Sequence, residues 1–342
     1  MAARPGGREK LTVCSHLGRP KGTPGPRYSI APVRQQLYKL LQARGADTSR
    51  VEVLENLRYN PGEEANDPEF VASLVKDQDL YVDDAFGAAH RAHASIVGPP
   101  AFLPSAAGRV LAREVDVLGR LLTNPQRPFV AVLGGAKVSD KLGVIEALLA
   151  KVDTLLVGGG MCFTFLAAQG HTVGASLLEP DQIATCQRLL ASVQASGSKR
   201  VVVPTDIIAL SAGGVFGPGK DPTGTIMNCG PDLPDSWLGL DIGPMTRDLF
   251  AEIIAGAATV FWNGPMGVFE DPRFAAGTRA VAEAVASAKA FTVAGGGDSA
   301  SALKEFGLDD KVDHLSTGGG ASLEFIEKGD LPGLAALRSA GA

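Results

Sequence analysis

Two lysines follow an apolar run in the segment LGGAKVSDK (133–141). Lys137 and Lys141 are four residues apart at a predicted helix start, a spacing that places both side chains on one face of a helix. Two ammonium groups at a helix N-terminus oppose the helix dipole, so their placement is costly unless an anion lies between them. We therefore predict an anion-binding site here; two solvated surface lysines are the alternative.

Glycine-rich segments follow five apolar runs in the C-terminal part of this chain of 342 residues, 42 of which are glycine. Glycine lets the backbone approach a ligand closely and turn sharply into a helix, whose free N–H groups then point at an anion. Together these segments predict a phosphate-binding edge of a parallel sheet, and tight packing turns are the alternative for any single one. The segments are LGGAKVSDK (133–141), VGGGM (157–161), FWNGPMGVFE (261–270), VAGGGDSAS (293–301) and STGGGAS (316–322).

Two acidic residues stand in these segments. Asp298 ends the run GGGD, and Mg²⁺ on a nucleotide takes one or two carboxylates plus phosphate oxygens. Asp298 is therefore a candidate metal ligand, with a plain helix N-cap as the alternative. Glu270 follows GPMGVF and is a candidate acceptor for ribose hydroxyls, although its residue type alone does not decide the matter.

Cationic or cationisable side chains follow three predicted strands near the N-terminus. Arginines at the ends of buried strands face the carboxyl edge of a sheet, and their planar guanidinium groups suit carboxylate and phosphate. We predict a small-anion site from this set, with surface salt bridges as the alternative. His90 and His93 also have a spacing that suits a metal, but no third ligand stands nearby in the sequence. The set comprises His16 and Arg19 in SHLGRP, Arg58 in LENLRYNPGEE, and His90, Arg91 and His93 in DDAFGAAHRAH.

Two standard phosphate-binding motifs match only in part. GGVFGPGKD (213–221) contains G-x-x-x-x-G-K but continues with Asp221 and Pro222 instead of Ser or Thr, so we interpret it as a surface loop. GGGDSA (295–300) fits a relaxed dinucleotide pattern, but the next predicted strand runs into STGGG and lacks the expected acidic residue. A nicotinamide-dependent dehydrogenase is therefore a weak alternative.

These residues need a framework of strands and helices to position them. Continuous Val-, Ile- and Leu-rich runs alternate with longer helical segments, which predicts an α/β fold with parallel sheets. The predicted strands are 11–15, 51–55, 79–86, 129–135, 153–159, 200–206, 258–264, 290–296 and 312–317. The predicted helices are 30–44, 68–77, 110–122, 138–150, 181–196, 246–256, 273–287, 299–306 and 320–327. Residues 206–236 interrupt this alternation and are interpreted as a hairpin on the surface.

Composition limits the classes of function. The net charge of −5 argues against nonspecific nucleic-acid binding, which needs a clustered basic surface, but not against a small anionic substrate. No apolar run reaches about 18 residues, so no membrane-spanning helix is predicted. The four cysteines have no C-x-x-C spacing, so neither a zinc site nor a disulfide framework is indicated, and reduced thiols in a cytoplasmic protein are expected.

A Pro/Gly-rich break, VGPPAFLPSAAG (97–108), suggests a boundary between an N-terminal domain at 1–108 and a C-terminal one, with a charged helix at 109–124 as connector. One domain would present arginines, and the other glycines, lysines and an acid. This division predicts an anionic small substrate facing a Mg-nucleotide across a cleft. Phosphoryl transfer fits such a site, because the protein then mainly positions groups and neutralises developing charge.

The ordered motifs resemble those of phosphoglycerate kinase, over essentially Leu11 to the C-terminus. The motifs that carry the resemblance are SHLGRP, LENLRYNPGEE, YVDDAFGAAHRAHASIVG, LGGAKVSDK, VGGGMCFTFL, GLDIGP, FWNGPMGVFE, GGGDSA and STGGGASLE.

The resemblance implies a monomer with two Rossmann-like, doubly wound parallel-sheet domains joined by an interdomain helix and a hinge that closes. The C-terminal domain would span 125–328, and a peptide at 329–342 would return to the N-terminal domain. The activity would be reversible phosphoryl transfer between 1,3-bisphosphoglycerate and ADP with Mg²⁺, giving 3-phosphoglycerate and ATP in glycolysis.

The resemblance also implies residue roles. Lys137, Lys141 and Arg19 would be catalytic: Lys137 would act on the transferring phosphoryl group and Lys141 on the nucleotide phosphates. Substrate binding would fall to His16, Leu17, Gly18, Arg19, Arg58 and Arg91. Nucleotide binding would fall to Gly135, Lys141, Gly159, Gly239, Leu240, Asn263, Glu270, Gly296, Gly297, Asp298 and Ser299, with Asp298 at the metal. Ser299 stands where many relatives have threonine and keeps the hydroxyl.

The sequence departs from the family at its start. The family normally precedes SHLGRP with a strand similar to RVDxNVP and a segment carrying a catalytic arginine, whereas MAARPGGREK stands here. That segment would supply an Asp, an Asn and an arginine to the substrate site, together with a strand and a helix. The alternative expectation is therefore a shortened nucleotide-binding form that binds Mg-ADP but has little or no turnover.

Overall fold

The alternation of apolar runs and helical segments is present in the computed structural model, which describes residues 10–340. The strands are β1 Leu11–Val13, β2 Val51–Val53, β3 Tyr81–Asp83, β4 Ser105–Ala107, β5 Phe129–Leu133, β6 Thr154–Val157, β7 Arg200–Val202, β8 Ile207–Leu210, β9 Ile226–Cys229, β10 Leu238–Ile242, β11 Thr259–Asn263, β12 Phe291–Gly295 and β13 His314–Leu315. The helices are α1 Ala31–Ala43, α2 Pro61–Ala65, α3 Pro68–Val75, α4 Ala94–Val97, α5 Arg109–Thr123, α6 Leu142–Leu149, α7 Cys162–Ala168, α8 Ile183–Ser196, α9 Pro244–Ala255, α10 Ala276–Ser287, α11 Gly297–Glu305, α12 Gly320–Lys328 and α13 Pro332–Ala340.

The chain forms two compact units. The continuous unit is Arg109–Asp330; the discontinuous unit comprises the described residues up to Gly108 together with those from Leu331 onward. None of the helices within residues 10–340 combines the length and the apolar character needed to cross a membrane.

A six-stranded parallel sheet forms the centre of the continuous unit, in the order β13-β12-β11-β5-β6-β7. Every residue of β5, β6 and β11 is buried, as expected for strands that are covered on both faces. The chain builds the sheet outward from β5 to β7 and then restarts on the other side of β5 with β11. The gap between the ends of β5 and β11 is therefore a topological switch point, where ligands bind in open α/β sheets.

The apolar core on one face of this sheet follows from the strand periodicity. Val130, Val132 and Trp262 belong to one buried cluster with Phe250 of α9 and Val281 of α10. Burial of each such side chain stabilises the fold by about 1.5–3 kcal/mol, so the strand ends are held on a rigid base.

A three-stranded antiparallel sheet, ordered β10-β8-β9, interrupts the α/β alternation. The predicted hairpin in 206–236 corresponds to β8 and β9, and the partial motif at 213–221 lies in the loop between them. Strand β10 was not predicted, because glycine and aspartate interrupt its apolar run. A register shift between Gly239 and Asp241 bends this strand.

The discontinuous unit contains two parallel strand pairs, β1 with β2 and β3 with β4, and no described strand joins them. Its last element, α13, packs with α4 and β4, and the Gly333 amide donates a hydrogen bond to the Ala89 carbonyl at 2.9 Å. Leu331 and Leu334 are buried in this packing.

Candidate active site

Lys141 lies at the switch point of the six-stranded sheet. Its Nζ donates hydrogen bonds to the Gly134 carbonyl after β5 at 2.7 Å and to Asn263 Oδ1 at the end of β11 at 2.5 Å. The Asn263 amide in turn donates to the Gly295 carbonyl at the end of β12 at 2.8 Å. One ammonium group thus connects three strand ends, because parallel strands bring their carboxyl ends to one edge.

The electrostatics of Lys141 are those of a cation that lacks a full hydration shell. Burial lowers the pKa of Lys141 from 10.5 to about 8, while the negative charges of Asp298 and Asp140 partly oppose that shift. Backbone oxygens replace only part of the lost water. A phosphate anion at this edge would therefore stabilise the charged lysine.

Lys137 does not share a helix face with Lys141, so that prediction is wrong. Helix α6 begins at Leu142, preceded by a single 3₁₀ turn at Ser139–Lys141. Lys137 lies before both elements and its side chain is exposed. The helical four-residue spacing therefore does not apply to these two lysines.

A cavity of about 450 Å³ opens at the same edge. Its size is in the range of small-molecule sites. Of the residues predicted to bind nucleotide, six line it: Gly135, Gly159, Gly239, Leu240, Glu270 and Asp298. Its apolar wall includes Phe163, Leu177, Ile207, Phe216, Leu238, Met266 and Val268.

Gly239 lets the ring of Phe163 pack directly against the backbone in this wall. A Cβ atom at this position would lie 2.3 Å from the ring of Phe163, so any side chain would displace the ring. Glycine here keeps the aromatic face close to the backbone of β10. A flat apolar group, such as a nucleobase, suits the apolar wall that this packing forms.

The start of α11 carries the remaining predicted nucleotide residues. Gly296 is its N-cap and no side chain caps the helix, so Asp298 is not the N-cap that the alternative interpretation required. The Ser299 hydroxyl is fully buried and accepts a hydrogen bond from the Gly264 amide at 2.7 Å. Ser299 therefore fastens α11 to the loop after β11, while the Asp298 carboxylate contributes to the cavity.

Asp241 is a cavity residue that the sequence did not single out. Its carboxylate is buried and accepts hydrogen bonds from the Gly277 amide at 2.7 Å and from the Ile242 amide at 2.9 Å. Burial raises the pKa of Asp241 to about 7, against the opposing effect of those hydrogen bonds. Its place within GLDIGP was the only available signal.

The predicted arginines of the discontinuous unit lie close enough to influence one another. Arg58 donates a hydrogen bond to the Gly18 carbonyl at 2.9 Å and pairs with Glu64 at 3.3 Å. Burial lowers the pKa of Arg58, and the positive charges of Arg91 and Arg19 lower it further, whereas Glu64 acts in the opposite direction. Three guanidinium groups that repel one another form a site that an anion would stabilise.

The SHLGRP turn is held by a buried side chain. Asn56 accepts a hydrogen bond from the Leu17 amide and donates one to the Leu17 carbonyl at 2.7 Å. Gly18 has φ +59°, and a Cβ atom there would lie 2.3 Å from the ring of Tyr28. The predicted residues Leu17 and Gly18 thus shape the turn that carries His16 and Arg19.

His16 contacts a carboxylate that the sequence analysis missed. Its Nε2 lies 2.6 Å from Glu63 Oε1, and Glu63 is completely buried. His93 also lies beside Glu63, so His93 has a carboxylate and a second histidine nearby that its spacing from His90 did not indicate. Only tertiary structure brings residues from three separate motifs together here.

The family model for phosphoglycerate kinase matches residues 6–329 of the chain. The phosphoglycerate kinase of Salinispora tropica is 53% identical, over 96% of this chain and 86% of that protein. The chain belongs to the phosphoglycerate kinase family. The phosphoglycerate kinase of Thermus thermophilus is 50% identical, over 97% of this chain and 87% of that protein.

Solved structures agree with this assignment. The phosphoglycerate kinase structure from Coxiella burnetii has a TM-score of 0.85 and 38% identity, covering 97% of this chain and 87% of that one. The structure from Pyrococcus horikoshii has a TM-score of 0.80 and 29% identity with the same coverage. The predicted α/β fold with two parallel-sheet domains of phosphoglycerate kinase type is therefore confirmed.

Family membership fixes the class of activity. The chain is a kinase, a phosphotransferase of glycolysis, which replaces the dehydrogenase alternative. The similarity extends over nearly all of this chain and most of each relative, and so gives no support to the alternative of a nucleotide-binding form without turnover.

Proposed function

We propose that this chain transfers a phosphoryl group reversibly between 1,3-bisphosphoglycerate and ADP, giving 3-phosphoglycerate and ATP. The observation that carries the proposal is the position of the Lys141 ammonium at the switch point, beside the cavity and within range of Asp298. We also propose that the enzyme works as a monomer in the cytoplasm.

The cavity of the continuous unit is the proposed nucleotide site. The apolar wall of the cavity, which includes Gly239 and Phe163, would take the adenine, and Glu270 would accept hydrogen bonds from the ribose. The phosphates would then lie toward Lys141 and the first turn of α11, where free N–H groups and the helix dipole favour negative charge.

Asp298 offers a fitting site for the magnesium ion of a Mg-nucleotide. Mg²⁺ keeps several waters and is held in kinases by one or two carboxylates together with substrate phosphates. Asp298 supplies one carboxylate at the cavity, so its donor type agrees with such a site. When bound, the ion would neutralise charge on the nucleotide phosphates.

The basic set of the discontinuous unit is the proposed phosphoglycerate site. Arg19, Arg58 and Arg91 would neutralise the phosphate and carboxylate of the substrate, and His16 would donate a hydrogen bond to it. Charge-assisted hydrogen bonds of this kind are roughly twice as strong as neutral ones. The mutual repulsion of the guanidinium groups would be relieved when the anion binds.

The reacting phosphoryl group needs positioning and charge neutralisation more than covalent help. Its transition state spreads negative charge over three equatorial oxygens. Lys141 would stabilise that charge from a position fixed by strand-end carbonyls, so little reorganisation accompanies the reaction. Lys137 is the proposed second cation at the transferring group.

Steady-state kinetics of two variants test the proposal. Lys141→Ala is expected to lower kcat/KM for ADP by about 100-fold or more, since removal of one preorganised donor typically costs that much. Arg58→Ala is expected to raise KM for 3-phosphoglycerate by about tenfold or more. Lys151→Ala and Arg44→Ala, which alter exposed side chains of the same units, serve as matched controls.

The proposed sites are wrong if Lys141→Ala changes only the KM for 3-phosphoglycerate, or if Arg58→Ala changes only the KM for nucleotide. Equal effects of the control variants would also contradict them, because a general loss of stability would then explain the result.

A further inference from the structure

Three potential metal ligands converge in the discontinuous unit, apart from the candidate magnesium ligand. One ligand atom each from His16, Glu63 and His93 lies within 4.8 Å of the other two. His16 Nε2 is 2.6 Å and His93 Nδ1 is 3.9 Å from Glu63 Oε1. We propose that these three side chains bind one divalent transition-metal ion of the zinc class.

The spacing is close to that of a formed site. Zinc binds imidazole nitrogen and carboxylate oxygen at about 2.0–2.2 Å, which places tetrahedral ligand atoms about 3.3 Å apart. The His93–Glu63 separation of 3.9 Å is wider than this, and the His16–Glu63 separation of 2.6 Å is that of a hydrogen bond, which the ion would replace. The two imidazole rings are nearly perpendicular, with centroids 5.5 Å apart, and ion binding would require side-chain rotations that bring the three ligand atoms to the tetrahedral spacing.

The environment of the His93 side chain is not explained by hydrogen bonding alone. Its side chain is 90% buried, yet no described residue forms a hydrogen bond with its Nδ1. A buried polar atom without a partner is costly. A metal ion would use this nitrogen as a ligand and remove that cost.

Glu63 already has the outer support that metal ligands have. The Ser95 amide donates to Glu63 Oε2 at 3.1 Å and the Ser95 hydroxyl to Oε1 at 2.6 Å. Such contacts orient a ligating carboxylate. The positive charge of Arg58 opposes a cation at this position, but Arg58 is itself paired with Glu64.

The donor set determines the class of ion. Two imidazoles and one carboxylate suit zinc, cobalt, nickel or copper, whereas magnesium prefers an all-oxygen set. Three protein ligands leave one coordination position open. If His16 binds substrate as proposed above, the ion would compete with 3-phosphoglycerate; ion binding itself does not depend on that proposal.

Titration of the full chain with Co²⁺, followed by visible absorption, tests ion binding without an activity assay. A Cys14→Ser background excludes a signal from the exposed thiol. We expect one equivalent to give the absorption of a four-coordinate ion, Zn²⁺ to displace it and excess Mg²⁺ to leave it unchanged. His93→Gln and Glu63→Gln should weaken binding by about tenfold or more, and His171→Gln, which alters a half-buried histidine of the other unit, should not.

X-ray absorption at the zinc edge provides a measurement that needs no variant of the cluster. Two imidazole ligands with oxygen would support the proposal, and a sulfur ligand or oxygen ligands alone would overturn it. The absence of Co²⁺ binding, unchanged binding in His93→Gln, or displacement by Mg²⁺ would overturn it as well.

Competition between the ion and the substrate is measured separately by steady-state kinetics. Zn²⁺ should raise the KM for 3-phosphoglycerate in the parent and much less in His93→Gln. A metal-bound chain with an unchanged KM would contradict the proposed role of His16 but not the metal site.

Discussion

At the scale of single residues, the burial of Lys141 determines the pH at which its amine can bind phosphate. Because burial lowers its pKa to about 8, the amine loses its charge at a lower pH in the folded chain than in the unfolded one. Nucleotide affinity should therefore fall as pH rises past about 8, since the neutral amine no longer attracts phosphate. Titration calorimetry with ADP between pH 7 and 9.5 measures this change. In Lys141→Arg, whose guanidinium stays charged, the affinity should decline much less over the same range.

The lowered pKa of Lys141 predicts that stability, unlike nucleotide affinity, gains from a rise in pH. Between pH 8 and 10.5 the unfolded chain binds more protons at this lysine than the folded chain, so the free energy of unfolding gains a contribution that rises with pH. An identical pH dependence of both quantities in the parent and in Lys141→Arg would contradict the assignment to this side chain.

Asp241 predicts a second pH effect with a different sign. Burial raises its folded-state pKa from 3.8 to about 7, so the stability contributed by the protonated form is lost as pH rises through that interval. Asp241→Asn should lessen the decrease in unfolding free energy between pH 4 and 7, because an amide oxygen can still accept from the Gly277 amide. Urea unfolding at pH 4 and pH 7 measures the difference, and an equal decrease in unfolding free energy in parent and variant would refute it.

At the scale of elements, helix α5 is tied to the sheet by one carboxylate. Glu114 is buried and accepts hydrogen bonds from His314 at 2.9 Å and from the Thr317 amide at 2.7 Å. Burial alone would raise the pKa of Glu114, but these hydrogen bonds outweigh it and lower the pKa below its ordinary value. The charged form therefore stabilises the fold, and this contribution is lost as pH falls below about 4.5.

Glu114→Ala should lower the free energy of unfolding by about 2–4 kcal/mol, because buried donors lose their acceptor. Chemical unfolding at pH 7 measures the loss. The same measurement on Asp116→Ala, an exposed residue of the same helix that pairs with Arg120, should show a change of less than about 1 kcal/mol. A comparable loss in both variants would show that helix propensity, rather than the buried hydrogen bonds, is responsible.

The elements also show what the sequence could reveal. All nine predicted strands are present. Continuous apolar runs are typical of strands covered on both faces, as β5, β6 and β11 are. Strand β4, with the sequence Ser-Ala-Ala, has no such run. Helix α7 was missed for a related reason: five of its residues are buried, so its sequence CFTFLAA has no polar face to give a helical period.

The candidate site was predictable only where it follows strand ends. Lys141 and Asp298 could be placed at one edge because parallel strands end together. Glu63, Asp241 and Phe163 could not, since their proximity to the sites arises from tertiary packing of distant segments. The position of Lys137 was mispredicted because a single 3₁₀ turn delays the start of α6.

At the scale of the whole molecule, the discontinuous unit depends on α13. Leu334 is buried against this unit, so Leu334→Ala should lower its unfolding free energy by about 2–5 kcal/mol. Nucleotide binding by the continuous unit should persist. Hydrogen exchange of each unit, together with ADP titration, separates the two effects. Equal loss of protection in Arg109–Asp330 would contradict the division. Arg338→Ala, an exposed change on the same helix, is the control.

The order of synthesis gives this chain topology a further consequence. The ribosome releases the segment that contains Ala89 and Ile96 before Arg109–Asp330, yet α13, which packs against both residues, is made only after that stretch. Meanwhile the whole of Arg109–Asp330 emerges as one stretch and can fold as it appears. The discontinuous unit is thus begun before the continuous unit and completed after it, and until α13 is made the apolar residues that α13 covers lack this partner.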